Sequence, residues 1–305
     1  MTAATLFALY VAAAGMFAPV LLRRAWAARS PRLAMTLWLV LPVSWVAAIL
    51  LTILAATAPF QLTWPVPPGR SRGLLAGLVL PGGRAIATVG FLLAAAVVLR
   101  TAGCVAGELH RGWRDRREHA ALVAATGSPG HEPDVAIVDH DAPAVYCLPG
   151  GRYQIVISAG ARAALTPGQL RAVLAHERAH LRCRHHLILA LAAGMARAFP
   201  RVPLLGQAKP QLAVLAEMAA DDAAARRHRR DDLAAALVVL ARAGAHRATL
   251  AASGPEAIAR LQRILDPERP RTGLARLAAV AALIPPVVIA CLPLLLAACD
   301  TSSHT

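Results

Sequence analysis

His176-Glu177-Arg178-Ala179-His180 reads HExxH. On a helix, two histidines four positions apart share one face about a turn apart, close enough for both rings to reach one metal ion. The carboxylate of Glu177 then stands beside that ion, where it can take a proton from water. A catalytic zinc centre uses three protein ligands and keeps a further position for water, so His176 and His180 need one partner. Glu217 is the best candidate. It stands in Glu217-Met218-Ala219-Ala220-Asp221, an ExxxD pattern that puts both carboxylates on one helical face. Asp221 can accept the N–H of a ligand histidine and fix its tautomer. Asp222 competes for that role but lies off the Glu217 face.

The chemistry this set suits is hydrolysis of a peptide bond with Zn2+ as cofactor. Glu177 serves as general base toward water and returns the proton to the leaving amine, while the metal polarises the carbonyl. An oxyanion donor is also required. Arg226, Arg227 and His228 follow Asp221 on the same expected helix, and nothing in the sequence chooses among them. His185 and His186 follow the motif closely, yet their spacing from His180 points them largely elsewhere, toward solvent.

The elements that must position these residues are legible around them. Thr166-Pro167-Gly168-Gln169 offers a hydroxyl cap, a proline at the first helical position and a glutamine at the third. Leu170, Val173, Leu174 and Leu181 then supply an apolar face. A second helix is expected to open near Pro210 and to carry Val214, Glu217, Asp221 and Ala225. Leu187 to Phe199, broken by Arg197, is too short for a span and reads as a core or interfacial helix. Ser253-Gly254-Pro255-Glu256 repeats the capping pattern and begins a helix to about Leu265.

Upstream lie three β-like runs, Val135 to Val138, Ala144 to Leu148 and Gln154 to Ser158, the last two joined by Pro149-Gly150-Gly151 as a hairpin. Proteases commonly hold a peptide as an added strand. Ile155, Val156 and Ile157 are therefore expected to present the substrate strand.

A chain of 305 residues that is 57% hydrophobic, with mean hydropathy +0.52, is too apolar for a soluble domain. Four stretches, Ala3 to Leu22, Leu33 to Ala56, Ala85 to Ala106 and Leu274 to Ala298, come near the ~20 residues that cross a bilayer core. The first lacks a basic leading region and is expected to stay in the mature protein. Arg23, Arg24, Arg29 and Arg32 follow the first stretch, and Arg100, Arg111, Arg114, Arg116 and Arg117 follow the third, which marks those sides as cytoplasmic. The expectation is a multi-pass cell-membrane protein with both termini outside and the catalytic region in the cytoplasm.

The net charge of +15 sits largely beside membrane segments. Anionic lipid at the cytoplasmic face, worth ~1 kcal/mol per nearby arginine, is its expected partner, and direct nucleic-acid binding is not expected. The 5 cysteines show no CxxC spacing, so neither a disulfide framework nor a thiolate zinc site follows.

His176-Glu177-x-x-His180 and Glu217-x-x-x-Asp221, with Tyr146-Cys147-Leu148-Pro149-Gly150-Gly151 and Ile155-Val156-Ile157-Ser158-Ala159-Gly160 upstream, resemble the BlaR/MecR-type family of integral-membrane gluzincin peptidases. The HtpX and CAAX-prenyl-protease group is a more distant likeness. The resemblance covers Glu108 to Asp266 and implies zinc endopeptidase activity, with His176, His180 and Glu217 as ligands and Glu177 as catalyst.

The fold expected is a mainly α integral membrane protein: four transmembrane helices with a cytoplasmic α+β metallopeptidase domain between the third and fourth. Its divisions are residues 1–107 with three membrane helices, 108–272 with the peptidase domain, and 273–305 with the last helix and a short tail. Antibiotic receptors of that family carry an external penicillin-binding domain where only Asp300 to Thr305 follow here, so β-lactam sensing is not expected. Protein substrates, a transcriptional repressor among them, are. The competing reading is a non-catalytic membrane transducer or scaffold that keeps the metal fold, which would have no need of the base Glu177.

Overall fold

Helices dominate this chain because alanine and leucine dominate its sequence and proline gathers between the apolar runs. The structure, a computed structural model, describes residues 3–23, 26–61, 83–245 and 254–266. In chain order its elements are α1 (Ala3–Leu22), α2 (Trp26–Arg29), α3 (Pro31–Gln61), α4 (Gly83–Thr126), β1 (Ser128–Pro129), β2 (Val135–Val138), β3 (Val145–Cys147) and β4 (Ile155–Ser158). There follow α5 (Ala159–Ala164), α6 (Pro167–Arg182), α7 (His185–Ala198), α8 (Pro203–Ala225), α9 (Arg230–Ala245) and α10 (Gly254–Leu265).

Among the described residues, three helices are long and apolar enough to cross a membrane, over Ala4–Leu22, Pro31–Thr57 and Ala85–Thr126. Met16, Phe17 and Val20 on α1 and Phe91, Leu92 and Leu99 on α4 are exposed, a surface suited to hydrocarbon. The fourth apolar stretch, Leu274 to Ala298, lies outside the described residues, as does most of the loop between the second and third. The charged segment from Glu108 continues α4, which runs 44 residues without a break. Gly103, Gly107 and Gly112 cost only ~1 kcal/mol each in a helix and do not end it.

Polar groups between α1 and α3 satisfy one another. Trp45 Nε1 donates to the Val11 carbonyl at 2.8 Å, and the Tyr10 and Ser44 hydroxyls lie 2.6 Å apart. The α7–α8 pair docks onto the same bundle. Phe199, which follows α7, meets Trp45 edge to face with ring centroids 5.2 Å apart, and Arg100 Nε donates to the Ala198 carbonyl at 2.7 Å, satisfying the end of α7. Trp38 on α3 and Leu204, Leu205 and Leu212 on α8 are fully buried in one core with Ala192 and Met195 of α7. The segment expected as a core or interfacial helix is thus a core helix. α8 opens at Pro203, two turns before the proline expected to start it. Pro210 sits inside the helix. Burying three leucines, at about 1.5–3 kcal/mol each, outweighs the ~3 kcal/mol of an interior proline.

The sheet has the order β1-β2-β4-β3, with β2 parallel to β4 and β3 antiparallel to it as a hairpin. β4 is buried along its length and paired on both sides. Ile155, Val156 and Ile157 therefore cannot pair with a substrate strand, which corrects the sequence expectation. A β-branched run suits a buried central strand as well as an exposed edge. The edge beside the catalytic helix is β3, which lies against α6. On the other side of the α6 helix, Val173 and Leu174 share a core with Val135, Ile155 and Ile157.

α4 and α7 approach one another closely at Gly194. A Cβ on Gly194 of α7 would stand 2.5 Å from Val105 Cα of α4, whereas one on Gly206 meets nothing within 4 Å. Gly194→Ala should lower the melting temperature of the detergent-solubilised protein by several degrees, while Gly206→Ala, which only gains helix propensity, should leave it unchanged or raise it.

Candidate metal centre

The capping box foreseen at Thr166 is present. Thr166 Oγ1 accepts from Gln169 N at 3.4 Å and Gln169 Oε1 accepts from Thr166 N at 3.0 Å. With the start fixed and Val173 and Leu174 turned to the sheet, the helical period carries His176 and His180 to the face that meets α8. Their Nε2 atoms lie 3.1 Å apart. Glu217 closes the group from α8, with Oε2 3.5 Å from His176 Nε2 and Oε1 3.4 Å from His180 Nε2. One ligand atom from each of the three lies within 4.8 Å of the others.

This donor set fits zinc. Bonds of ~2.0–2.2 Å arranged tetrahedrally give edges of roughly 3.3–3.6 Å, close to the separations seen, and two imidazoles with one carboxylate form a ligand set that catalytic zinc uses. Behind the ligands, His176 Nδ1 lies 3.0 Å from Asp221 Oδ1, and Asp221 is 2% exposed. The competition between the two aspartates is resolved by this contact. Asp222 turns the other way and accepts from Arg263 Nη2 at 2.8 Å.

Arg260 was not legible as part of the site. From α10 its Nε and Nη2 each donate to an Asp221 oxygen at 2.8 Å, and its Nη1 stands 2.8 Å from Glu217 Oε2. One guanidinium thus braces both acids of the ExxxD pattern, a use that its planar fork of donors suits. The available signal was weak: Arg260 and Arg263, three apart on an amphipathic helix, face Asp221 and Asp222. Arg226 and Arg227, weighed as oxyanion donors, are exposed beyond the end of α8, and His228 lies past them in the following turn.

His185 is a correction. It is 3% exposed, not solvent-facing, and its Nδ1 lies 2.9 Å from His180 Nδ1. The helix that would have carried it away ends at Arg182, and Arg184 adopts a left-handed backbone with φ 48 that turns the chain back. His186 is partly exposed, and both histidines line a cleft of about 340 Å³ with Cys147, Pro149, Leu189 and Val214, open to His180 and Glu217.

Electrostatics separates the groups. Burial disfavours the His176 imidazolium, but hydrogen bonds to Asp221 and Glu217 prevail and raise its pKa to about 9. Burial likewise works against the charged carboxylates, yet the hydrogen bond from His176 and the charge of Arg260 hold Glu217 down at about 2, and the hydrogen bonds of Arg260 and His176 hold Asp221 at about 2. Burial takes His180 down to about 4. Glu177 is pushed up, chiefly by burial, and faces the Cys147 thiol of β3, which burial and the Glu177 charge raise to about 12. A carboxylate with a raised pKa is a better proton acceptor for water than an ordinary one.

Residues 109–209 match Peptidase family M48, which supports a metallopeptidase of M48 type. The matched segment contains His176, Glu177, His180 and His185 and ends before Glu217. Peptidases of that family are metalloproteases and in general depend on zinc. No curated protein and no solved structure matches this chain.

Two outcomes follow from the site. In the metal-free protein His176 carries a proton up to about pH 9, and zinc must displace it. Zinc affinity should therefore rise steeply with pH, approaching tenfold per unit, and level off near pH 9, as read by chelator competition. Arg260→Ala removes two hydrogen bonds from the buried Asp221 carboxylate and leaves it His176 as a partner, a loss of up to about 3–5 kcal/mol. Its melting temperature should fall well below that of Asp222→Asn, which removes only a half-exposed partner.

Proposed function

We propose that this protein is a zinc endopeptidase held in the cell membrane by several spans, which hydrolyses peptide bonds of cytoplasmic or membrane-adjacent proteins, with a transcriptional repressor among the candidates. The observation that carries the reading is the position of Glu177. It stands next to His176 on the helix that supplies two ligands, and it faces β3, an edge strand of the sheet among the described residues.

His176, His180 and Glu217 would hold the ion. When bound, Zn2+ supplies Lewis acidity for the scissile carbonyl and makes water more acidic. The remaining work falls to the chain. A peptide laid along β3 as an added strand brings a carbonyl to the mouth of the cleft. Glu177 accepts a proton from the attacking water and passes it to the departing amine, so the carboxylate is restored at the end of the cycle. Asp221 keeps the His176 proton on Nδ1 and leaves Nε2 free to ligate. The apolar side of the cleft, Pro149, Leu189 and Val214, receives an adjoining side chain and excludes water.

The membrane setting is part of the proposal. Arg263 Nε on α10 donates to the Ala28 carbonyl at 2.8 Å, and Arg23 Nη1 donates to Gln207 on α8 at 3.2 Å. The catalytic helices are thereby tied to the arginine-bearing end of α1 and α2. If that end is cytoplasmic, as its charge argues, the centre faces the cytoplasm at the level of the lipid headgroups, where anionic lipid meets the arginines. Four spans, with the peptidase portion over 108–272 between the third and fourth, and a BlaR/MecR-type subfamily complete this reading.

Glu177→Gln should keep zinc and lose cleavage by about 10²–10⁴-fold. Proteomics of cells producing the wild-type or the Glu177→Gln protein reads this directly, through peptides whose new termini need Glu177. A scaffold would give the same termini and the same phenotype with either protein, and that result would overturn the proposal.

A further inference from the structure

We propose that His185 is a positioning residue for the metal centre, which fixes His180 as an Nε2 ligand by accepting a hydrogen bond from its Nδ1–H. The inference rests on the metallopeptidase reading and names a role that neither the HExxH nor the ExxxD pattern contains.

The argument begins with the ring of His180. Its Nε2 faces His176 and Glu217, so ligation requires an unprotonated Nε2 and places the proton of the neutral ring on Nδ1. A largely buried N–H must find an acceptor, since an unsatisfied donor is costly there. His176 has Asp221 for this purpose. For His180 the partner at hydrogen-bonding distance is His185 Nδ1, at 2.9 Å, and the two rings stand nearly perpendicular at 88°. With His180 donating, His185 accepts at Nδ1 and carries the single ring proton of its neutral imidazole on its own Nε2.

The backbone is bent to make this contact. Arg184 is the one non-glycine residue with positive φ among those described, and it lies between the end of α6 and the start of α7. Left-handed backbone is unfavourable for arginine and persists where the surroundings demand it. Its effect is to turn the chain so that the first residue of α7 lies beneath the fourteenth of α6, a contact that a continued helix would not allow.

The two ligand histidines are therefore held by different means. Asp221, ionised and braced by Arg260, makes His176 the more basic ligand. A neutral imidazole behind His180 orients the ring without adding negative charge. Total charge at the centre stays at the two carboxylates of Glu177 and Glu217 and the one of Asp221, offset by Arg260.

The test uses the full chain in detergent, in a Glu177→Gln background so that no readout depends on proteolysis. Zinc affinity is measured by chelator competition for wild type, His185→Ala, His185→Asn and His186→Ala, and the visible spectrum of the Co2+ form reports ligand geometry. His185→Ala should lose ~10–100-fold in zinc affinity and shift the Co2+ bands. His185→Asn, whose amide oxygen can accept from His180 Nδ1, should recover most of the affinity, and His186→Ala should match the parent. If His185→Ala does not fold, His185→Asn carries the test against the parent. Parent-like affinity and Co2+ spectrum in His185→Ala, or an Asn variant that binds zinc ~10-fold or more weakly than the parent, overturns the role of His185 and leaves the metallopeptidase reading intact. A parent protein that binds no zinc overturns that reading first and this role with it.

Discussion

A carboxylate with 2% exposure sits where three helices meet. Asp221 lies within hydrogen-bonding distance of His176 Nδ1 on α6, accepts from Arg260 on α10 twice, and belongs to α8 itself. A buried charge of this kind is tolerable only when paired and hydrogen-bonded, so the three helices cannot separate without stranding it. The rest of the centre follows from that constraint. Glu217 stands one turn earlier on α8 and shares Arg260, and His176 is turned so that Nε2 points inward. His180, one turn further along α6, is brought beside it. The stabilising interaction and the chemical arrangement are the same set of contacts.

This centre is coupled to the long apolar helices through packing more than through charge. α7 and α8 leave the site, run along α3 and α4, and bury their apolar faces in one core with Trp38 and Trp45. The close backbone approach at Gly194 and the cap from Arg100 at the end of α7 fix their depth. α4 acts as a strut, with its first half exposing leucine and phenylalanine and its second half exposing charge, as at Arg114 and Glu118. A displacement of the membrane bundle would reach Leu189 and Val214 in the cleft wall by way of α7 and α8. No separate linker lies between bundle and site among the described residues.

Part of the site was legible because its rule is local. The spacing of His176, Glu177 and His180 needs only a helix, and Thr166, Pro167 and Gln169 announce that helix. Glu217 and Asp221 were legible for the same reason, as an acid pair at helical spacing in an alanine-rich stretch. The long apolar helices α1 and α3 were legible from apolar length. Pro210 misled because proline is read as a helix start, yet one missing N–H weighs less than the leucines buried on either side of it.

What the sequence determined by itself, then, is each contact set by periodicity within one element: the HExxH pair, the ExxxD pair, the capped start of α6 and the apolar lengths of the spans. The tertiary structure decided what depends on two elements meeting. It placed Arg260 on both acids, brought His185 back to His180 through the left-handed turn at Arg184, and gave the sheet an order in which β3 is an edge strand and Ile155 to Ile157 of β4 are not. Periodicity fixes direction along one helix or strand, whereas a partner across space is chosen by burial and by the need of each buried polar group for another, and those needs exist only once the chain has folded.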